Sequence, residues 1–165
     1  MFSLYGKAGQ VYQEPTAAQR AASHPSSRVE LIMSHQVHLL DDQLTCQQAW
    51  EFLELHHIAQ APVVTPEAVL VGLVGRVQLM RILWPDDALH GNRSAALHKP
   101  VTECMLSPSP MVTVDSDVRE LVRLLLDAGL SGVPVVGEAG KVVGFVTRSD
   151  VLRSMVQGPT QDWWA

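Results

Sequence analysis

Apolar residues in the second half of the chain follow the spacing of a helix. They recur at three- and four-residue steps, at Val118, Leu121, Val122 and Leu125. This spacing places them on one face of a helix. Asp117 can cap the first turn, because its carboxylate accepts free backbone N–H groups there, and Gly129 suits a left-handed closing residue. The pattern predicts one amphipathic helix between Asp117 and Gly129.

Runs of β-branched residues after this helix predict two strands. One opens at Pro134 and the other covers 141–147, with a glycine-containing turn at 137–140 between them. Proline can begin a strand but lacks the N–H group that an interior position of a central strand needs, so we expect Pro134 to start its strand. A short leading strand at 112–114 and a closing helix at about 149–156 complete the order strand, helix, strand, strand, helix.

The same order occurs a second time, 72 positions earlier. The tetrapeptide APVV at 61–64 recurs as VPVV at 133–136, and VGLV at 71–74 recurs as VGFV at 143–146. Matches at one fixed spacing indicate an internal repeat. A single copy has too little surface to bury both faces of its sheet, so we expect the two copies to share a core. The predicted fold class is α+β, with two βαββα repeats packed as a pseudo-two-fold pair.

The repeat divides the chain into five segments. They are an N-terminal arm (1–28), repeat 1 (29–83), a linker (84–100), repeat 2 (101–157) and a C-terminal tail (158–165) that ends in Trp163 and Trp164. The predicted features of repeat 1 are a leading strand at 38–40, a helix that starts at Thr45 and ends near His57, a turn at 66–67 and a closing helix at 77–83.

Composition and charge exclude several classes of protein. A hydrophobic content of 47% with 18% charged residues is typical of a globular chain. The net charge is −5 and Lys and Arg form no runs, which argues against a nucleic-acid partner and against attachment to a membrane surface. No apolar stretch approaches the roughly eighteen residues of a membrane span. We therefore expect no nucleic acid and no membrane among its partners.

The two cysteines and the N-terminus bear on the compartment. Cys46 and Cys104 lie far apart in the sequence, among apolar neighbours and outside any CxxC spacing. The simplest interpretation is two buried thiols in a reducing compartment. The first fifteen residues lack the charged start and apolar run of a signal peptide. A cytoplasmic location is expected.

Side chains that often carry chemistry do not form a recognisable catalytic or metal site. His35 and His38 are three apart and His56 and His57 are adjacent, but further ligands at defined spacing are missing. Carboxylate pairs at 41–42 and 86–87 fall in predicted turns, where solvated residues are usual. Motifs such as GxSxG or a P-loop are absent from the sequence. We predict neither catalytic residues nor a metal site, and not an enzyme.

The second copy resembles the CBS-domain family. The resemblance rests on LSGVPVV at 130–136 followed by GFVTRSD at 144–150, and it extends over roughly 30–156. It implies a regulatory module with two clefts between the repeats and a disc-shaped homodimer. It also implies an adenosine-containing ligand such as AMP, ADP, ATP or S-adenosylmethionine, bound without any required cofactor. The chain carries no attached effector domain, so the expected target is an effector protein in trans.

The resemblance also implies which residues bind the ligand. Thr147, Ser149 and Asp150 would form the ribose and phosphate side of one cleft, since a carboxylate can accept both ribose hydroxyls and a helix start attracts phosphate. The base would lie against the partner repeat, at Met33, Gln36, His38, Ile58 and Ala59. A purely structural interpretation stays open, in which Asp150 only caps its helix.

The other cleft lacks these groups. Gly75, Val77 and Gln78 stand where the second copy has Thr147, Ser149 and Asp150, so we expect it to be empty or to hold something else. Ser131 and Gly132, just before the proline strand, are uncharged. Arg76, Lys141 or Arg148 could supply the missing basic side chain. Without one of them we expect weak phosphate binding, which favours a lightly charged adenosyl ligand or none. The alternative function is a ligand-free dimerisation scaffold.

Overall fold

The computed structural model describes residues 28–83 and 97–157. The predictions for the arm before Arg28, for the linker up to 96 and for the tail with Trp163 and Trp164 fall outside these residues. Each repeat folds in the predicted order. In repeat 1 the elements are β1 (Leu40–Asp41), α1 (Cys46–Leu55), β2 (Gln60–Val64), β3 (Leu70–Gly75) and α2 (Arg76–Leu83). In repeat 2 they are β4 (Val112–Thr113), α3 (Val118–Asp127), β5 (Gly132–Val136), β6 (Val142–Thr147) and α4 (Arg148–Gln157).

The duplication seen in the sequence is present in the backbone. Every element of repeat 2 starts 72 positions after its counterpart, as β4 at Val112 does after β1 at Leu40. Both sheets have three strands with the same pairing, the first strand parallel and the third antiparallel to the second. The predicted α+β fold of two βαββα repeats, packed as a pseudo-two-fold pair, is therefore confirmed.

The ends of the first helices follow the predicted local chemistry. The Thr45 hydroxyl accepts from the N–H of Gln48, whose side chain accepts from the N–H of Thr45, a capping box before α1. Asp117 accepts from the N–H of Arg119 at the start of α3. After the two helices, His57 and Gly129 both have positive φ, 52° and 64°. His57 therefore adopts the backbone conformation that glycine supplies in repeat 2.

The prediction that the prolines start their strands is wrong. Pro62 and Pro134 are each the third residue of a middle strand. Pro62 is tolerated because β1 begins opposite Val63 and so does not reach it. On the other side it faces Leu73, which uses its own N–H and C=O for Leu106. The missing proline N–H therefore leaves no neighbouring acceptor unpaired.

The residues at the start of each repeat, before its first strand, pack on the other repeat. Lead segment 1 (28–34) joins repeat 2: the N–H of Val29 donates to the carbonyl of Ser116 at 3.0 Å, and Ser34 exchanges two backbone hydrogen bonds with Phe145. Lead segment 2 (100–106) joins repeat 1, where Leu106 exchanges two such bonds with Leu73. Each lead segment thus adds a short antiparallel bridge to the far edge of the other repeat's sheet.

Each lead segment crosses to the other repeat, and two apolar cores result from this crossing. The core of repeat 2 contains Val118, Leu121, Leu125, Val133 and Val146, together with Val29 from lead segment 1. The core of repeat 1 contains Leu40, Ala49, Leu53, Val63 and Leu79, together with Val101 and Cys104 from lead segment 2. Each core is therefore closed by residues from the start of the other repeat.

The crossing also brings the two cysteines together. Cys46, the first residue of α1, and Cys104, in lead segment 2, form a buried disulfide, with their Cα atoms 6.8 Å apart. The prediction of two separate buried thiols is wrong, because sequence spacing did not reveal that lead segment 2 lies against α1. Their equivalents in repeat 2 are Val118 and Ile32, which belong to an apolar core. A covalent bond replaces a hydrophobic contact in repeat 1.

Candidate ligand cleft between the repeats

A cleft of about 320 Å³ lies between the start of α4 and the chain that precedes β1. This volume falls in the range of small-molecule sites. Its walls come from both repeats and are formed by Ser34, Gln36, Val37, His38, Ile58, Ala59, Gln60, Pro62, Ser131, Phe145, Thr147, Ser149 and Asp150. We refer to it as the Asp150 cleft.

Most of the predicted ligand-binding residues meet in this cleft. The structure brings together Thr147, Ser149, Asp150, Gln36, His38, Ile58 and Ala59. Met33 is not among the lining residues. Its side chain covers Gly144 of β6, where an added Cβ would lie 2.6 Å from the Met33 sulfur, and it packs on the core of repeat 2. Met33 thus faces the core because lead segment 1 crosses to β6.

Asp150 is a helix cap and a cleft residue at once. Its Oδ2 accepts from the N–H of Thr147 at 2.9 Å and from the Thr147 hydroxyl at 2.6 Å, while its own N–H donates to that hydroxyl. Its Oδ1 accepts from Arg153 at 2.9 Å. The Asp150 side chain remains 16% exposed, on the cleft wall. A carboxylate offers about four acceptor positions, so three contacts leave room for a ligand hydroxyl.

The basic residues that the sequence offered for phosphate are used elsewhere. Arg148 donates to the carbonyl of Leu125 at 2.9 Å. Arg76, its equivalent, donates to the carbonyl of Leu53 at 3.3 Å and forms a salt bridge with Glu54. Both arginines therefore hold the last turn of the preceding helix, where a cation is favourable. The backbone of Lys141 bridges to Val69, at the far end of β6 from the cleft. In the residues that the structure describes, no lysine or arginine lines the Asp150 cleft.

The opposite wall contains an aromatic group that the sequence did not predict. The His38 ring lies 4.1 Å from the His56 ring, which lies 4.4 Å from the Phe52 ring. Phe52 and His56, from α1 and its end, thus support the His38 ring, which lines the cleft. Over 28–83 and 97–157, no cluster of three or more His, Cys, Asp or Glu side chains could hold a metal ion.

Residues 101–157 match the family model described as the CBS domain. Residues 101–157 are a CBS domain, and the two repeats together have the fold of a CBS pair. The chain's relatives include the chloroplastic CBS domain-containing protein CBSX2 of Arabidopsis thaliana, 26% identical over 141 residues, which are 73% of this chain and 59% of that protein. The A-adding tRNA nucleotidyltransferase of Aquifex aeolicus is 31% identical over 130 residues, 78% of this chain but 14% of the enzyme. The chain spans less than two thirds of the length of either relative.

Crystal structures of CBS pairs have the same fold. CBSX2 in complex with AMP superposes with a TM-score of 0.69 at 26% identity, over 79% of this chain and 97% of that one. The CBS pair of protein MJ0100, in complex with 5′-methylthioadenosine and S-adenosyl-L-methionine, gives a TM-score of 0.65 at 26% identity, over 80% and 98%. Both of these CBS-pair structures contain adenosine compounds.

The start of α2 differs from the start of α4 in the way the sequence indicated. At the start of α2, Gln78 stands at the place of Asp150, and its Oε1 lies 2.9 Å from where a Cβ of Gly75 would be. Val77, the equivalent of Ser149, is exposed. This helix start therefore offers an amide where α4 offers a carboxylate and two hydroxyls.

A contact between equivalent residues lies at the floor of the Asp150 cleft. Gln60 opens β2 and Gly132 opens β5, and the Gln60 amide donates to the carbonyl of Gly132. The Ser131 hydroxyl donates to the Gln60 carbonyl oxygen at 3.0 Å. Residues 72 positions apart meet only near the pseudo-two-fold axis, so Gln60 joins the repeats there. Gln60 could not be predicted from the repeat, because its equivalent, Gly132, has no side chain to compare with it.

The described residues contain no helix with the length and apolar character to cross a membrane. The cytoplasmic location stays a prediction, and the disulfide removes the cysteines from the observations that supported it.

Proposed function

We propose that this CBS pair binds one adenosine-containing ligand per chain in the Asp150 cleft and transmits the bound state to a partner protein in trans. The candidates are AMP, ADP, ATP and S-adenosylmethionine. The observation that carries the proposal is the Asp150 carboxylate, fixed by Thr147 on the wall of a cleft of ligand size. A fixed acceptor of this kind can bind the vicinal hydroxyls of a ribose with little loss of side-chain freedom.

Two further observations support a binding role without catalysis. The similar CBS pairs CBSX2 and MJ0100 were crystallised with AMP and with adenosyl compounds. Among the described residues lining the cleft, Asp150 is the only carboxylate, and its oxygens hold a helix cap and Arg153. We accordingly propose a module that binds its ligand without a required cofactor and without catalysis.

Calorimetric titration tests the ligand proposal. We expect one of the four candidates to bind near one site per chain, and Asp150→Ala to weaken it by about 10- to 100-fold, the usual value of hydrogen bonds to a charged group. Gln78→Ala, the same change at the equivalent helix start, should leave binding unchanged. Asp117→Ala removes a helix cap outside the cleft and controls for lost stability. A folded protein that binds none of the four would favour the dimerisation scaffold.

The homodimer is the second part of the proposal. Apolar side chains of α3 and α4 line an open groove, formed by Val122, Leu125, Leu126, Arg148, Val151, Leu152 and Met155. Leu126 and Leu152 are 66% and 63% exposed. Met80, the equivalent of Leu152 in repeat 1, is exposed as well. Because both repeats present an exposed apolar side chain at this equivalent position, a second copy related by a two-fold axis can cover both at once.

Light scattering tests the homodimer with a charge placed on this surface. We expect the wild type to be a dimer at micromolar concentration and Leu152→Glu to be a monomer, because an unpaired carboxylate is costly in an apolar interface. Leu31→Glu makes the same change at an exposed leucine of lead segment 1, away from the helices, and should remain a dimer. A monomeric wild type would contradict the proposal, and would be the result if another segment of the same chain covers the groove.

A further inference from the structure

The start of α4 has few donors left for an anion. A helix start binds phosphate through free backbone N–H groups. Here the N–H of Thr147 donates to Asp150, that of Arg148 to the carbonyl of Ser131 at 2.9 Å, and that of Asp150 to the Thr147 hydroxyl at 3.2 Å. Among the described residues at this position, Ser149 retains its N–H and its hydroxyl for a ligand. The helix start is thus largely satisfied by its own chain.

The charge at this position is also unfavourable to a phosphate. Asp150 places a carboxylate in the cleft, and its counter-ion Arg153 does not line the cleft and is itself 60% exposed. Arg148 and Arg76 do not line the cleft either, and both donate to helix carbonyls. A phosphate bound beside Asp150 would therefore meet a like charge without a cation among the described lining residues, whereas a positive group would be attracted.

From these two observations we infer that the Asp150 cleft selects an adenosine whose 5′ substituent is uncharged or positively charged, such as a thioether or a sulfonium, over one that carries phosphate. The inference rests on the proposed function and narrows its four candidate ligands to the adenosyl compound without phosphate. The ribose is held by Asp150 in either case, so the selection comes from the charge surrounding the 5′ position. The ligands compared all contain adenosine and differ only in the 5′ substituent.

Titration of matched ligands tests the inference directly. At low, fixed ionic strength, we expect 5′-methylthioadenosine and S-adenosylmethionine to bind at least about tenfold more tightly than AMP, with unmodified adenosine closer to the thioether than to AMP. Raising the salt concentration should narrow the gap between S-adenosylmethionine and AMP, since screening weakens both attraction and repulsion. It should leave the neutral 5′-methylthioadenosine almost unchanged.

A second variant adds the missing cation. Ser131 lines the cleft and its side chain is exposed, so Ser131→Lys can direct an ammonium toward the 5′ position. Ser131→Met has similar length without the charge, and both variants lose the Ser131–Gln60 hydrogen bond. We expect Ser131→Lys to bind AMP about tenfold more tightly than Ser131→Met does, and the two variants to bind 5′-methylthioadenosine equally.

The outcomes separate this inference from the proposed function. If AMP binds as tightly as 5′-methylthioadenosine, and Asp150→Ala weakens both, the proposed function stands and the charge selection is overturned. If Ser131→Lys does not improve AMP binding relative to Ser131→Met, the explanation by charge is also overturned. If none of the adenosine compounds binds to the folded wild type, the proposed function itself fails and the inference fails with it.

Discussion

Reduction of the Cys46–Cys104 disulfide is expected to lower the free energy of unfolding by about 4 kcal/mol. The bond closes a loop across 58 positions of sequence. A cross-link of that span removes much of the conformational entropy of the unfolded chain, and the loss grows with loop length. It also fastens lead segment 2 to α1, so it stabilises the contact that closes the core of repeat 1. We therefore expect reduction of the disulfide to destabilise repeat 1 first.

Urea unfolding with and without a thiol reductant measures this effect. The matched control is the double variant Cys46→Val with Cys104→Ile, which copies the equivalent pair of repeat 2, Val118 and Ile32. It keeps an apolar contact without the cross-link. Its stability should therefore match that of the reduced wild type to within about 1 kcal/mol, and should not change with reductant. Equal stability of the oxidised and reduced wild type would show that the disulfide adds nothing to the fold.

Val29→Asp is expected to destabilise repeat 2, although Val29 is the first residue of repeat 1 in the sequence. Val29 is fully buried in the core of repeat 2, next to residues such as Leu121 and Leu125. A carboxylate at that position would be desolvated without a partner, so we expect a loss of at least about 4 kcal/mol. The equivalent change in lead segment 2, Val101→Asp, should destabilise repeat 1 instead.

Hydrogen exchange with mass spectrometry locates each effect. In Val29→Asp we expect faster exchange to begin in α3, β5 and β6, and in Val101→Asp in α1, β2 and β3. Leu31→Asp provides the control, because Leu31 lies in the same segment with 62% of its surface exposed, and it should cost less than about 0.5 kcal/mol. Faster exchange confined to repeat 1 in the Val29 variant would contradict the crossed packing of the lead segments.

Features of the fold that depend on local chemistry could be predicted from the sequence. The caps at Thr45 and Asp117, and the positive φ at His57 and Gly129, follow from residues within a few positions of each helix end. The elements predicted in repeat 2, where the pattern is clearer, could then be placed in repeat 1 at the 72-residue spacing. Element order and fold class were obtained in this way, with strand ends displaced by one or two residues, as at Pro62.

Features that depend on the crossing could not be predicted. Lead segment 1 lacks a regular hydrophobic period, and its bridge to Phe145 joins residues far apart in sequence. The disulfide and the position of Met33 were missed for the same reason. Whether a residue of a lead segment faces the core or the cleft depends on which strand that lead segment joins. The seven predicted residues meet in the cleft. Gln60, which also lines it, and His56, whose ring packs against that of His38, were missed because each acts through a contact with a residue distant in sequence.

The crossed lead segments have a consequence for how such a chain arises. A polypeptide with one repeat alone would carry a lead segment with no sheet edge to join and a core with nothing to close it. Two separate copies would complete one another by exchanging these segments, as domain-swapped subunits do. Joining the copies in one chain turns that encounter into an intramolecular step, which raises the effective concentration of each repeat around the other. Folding then no longer depends on how much protein is present.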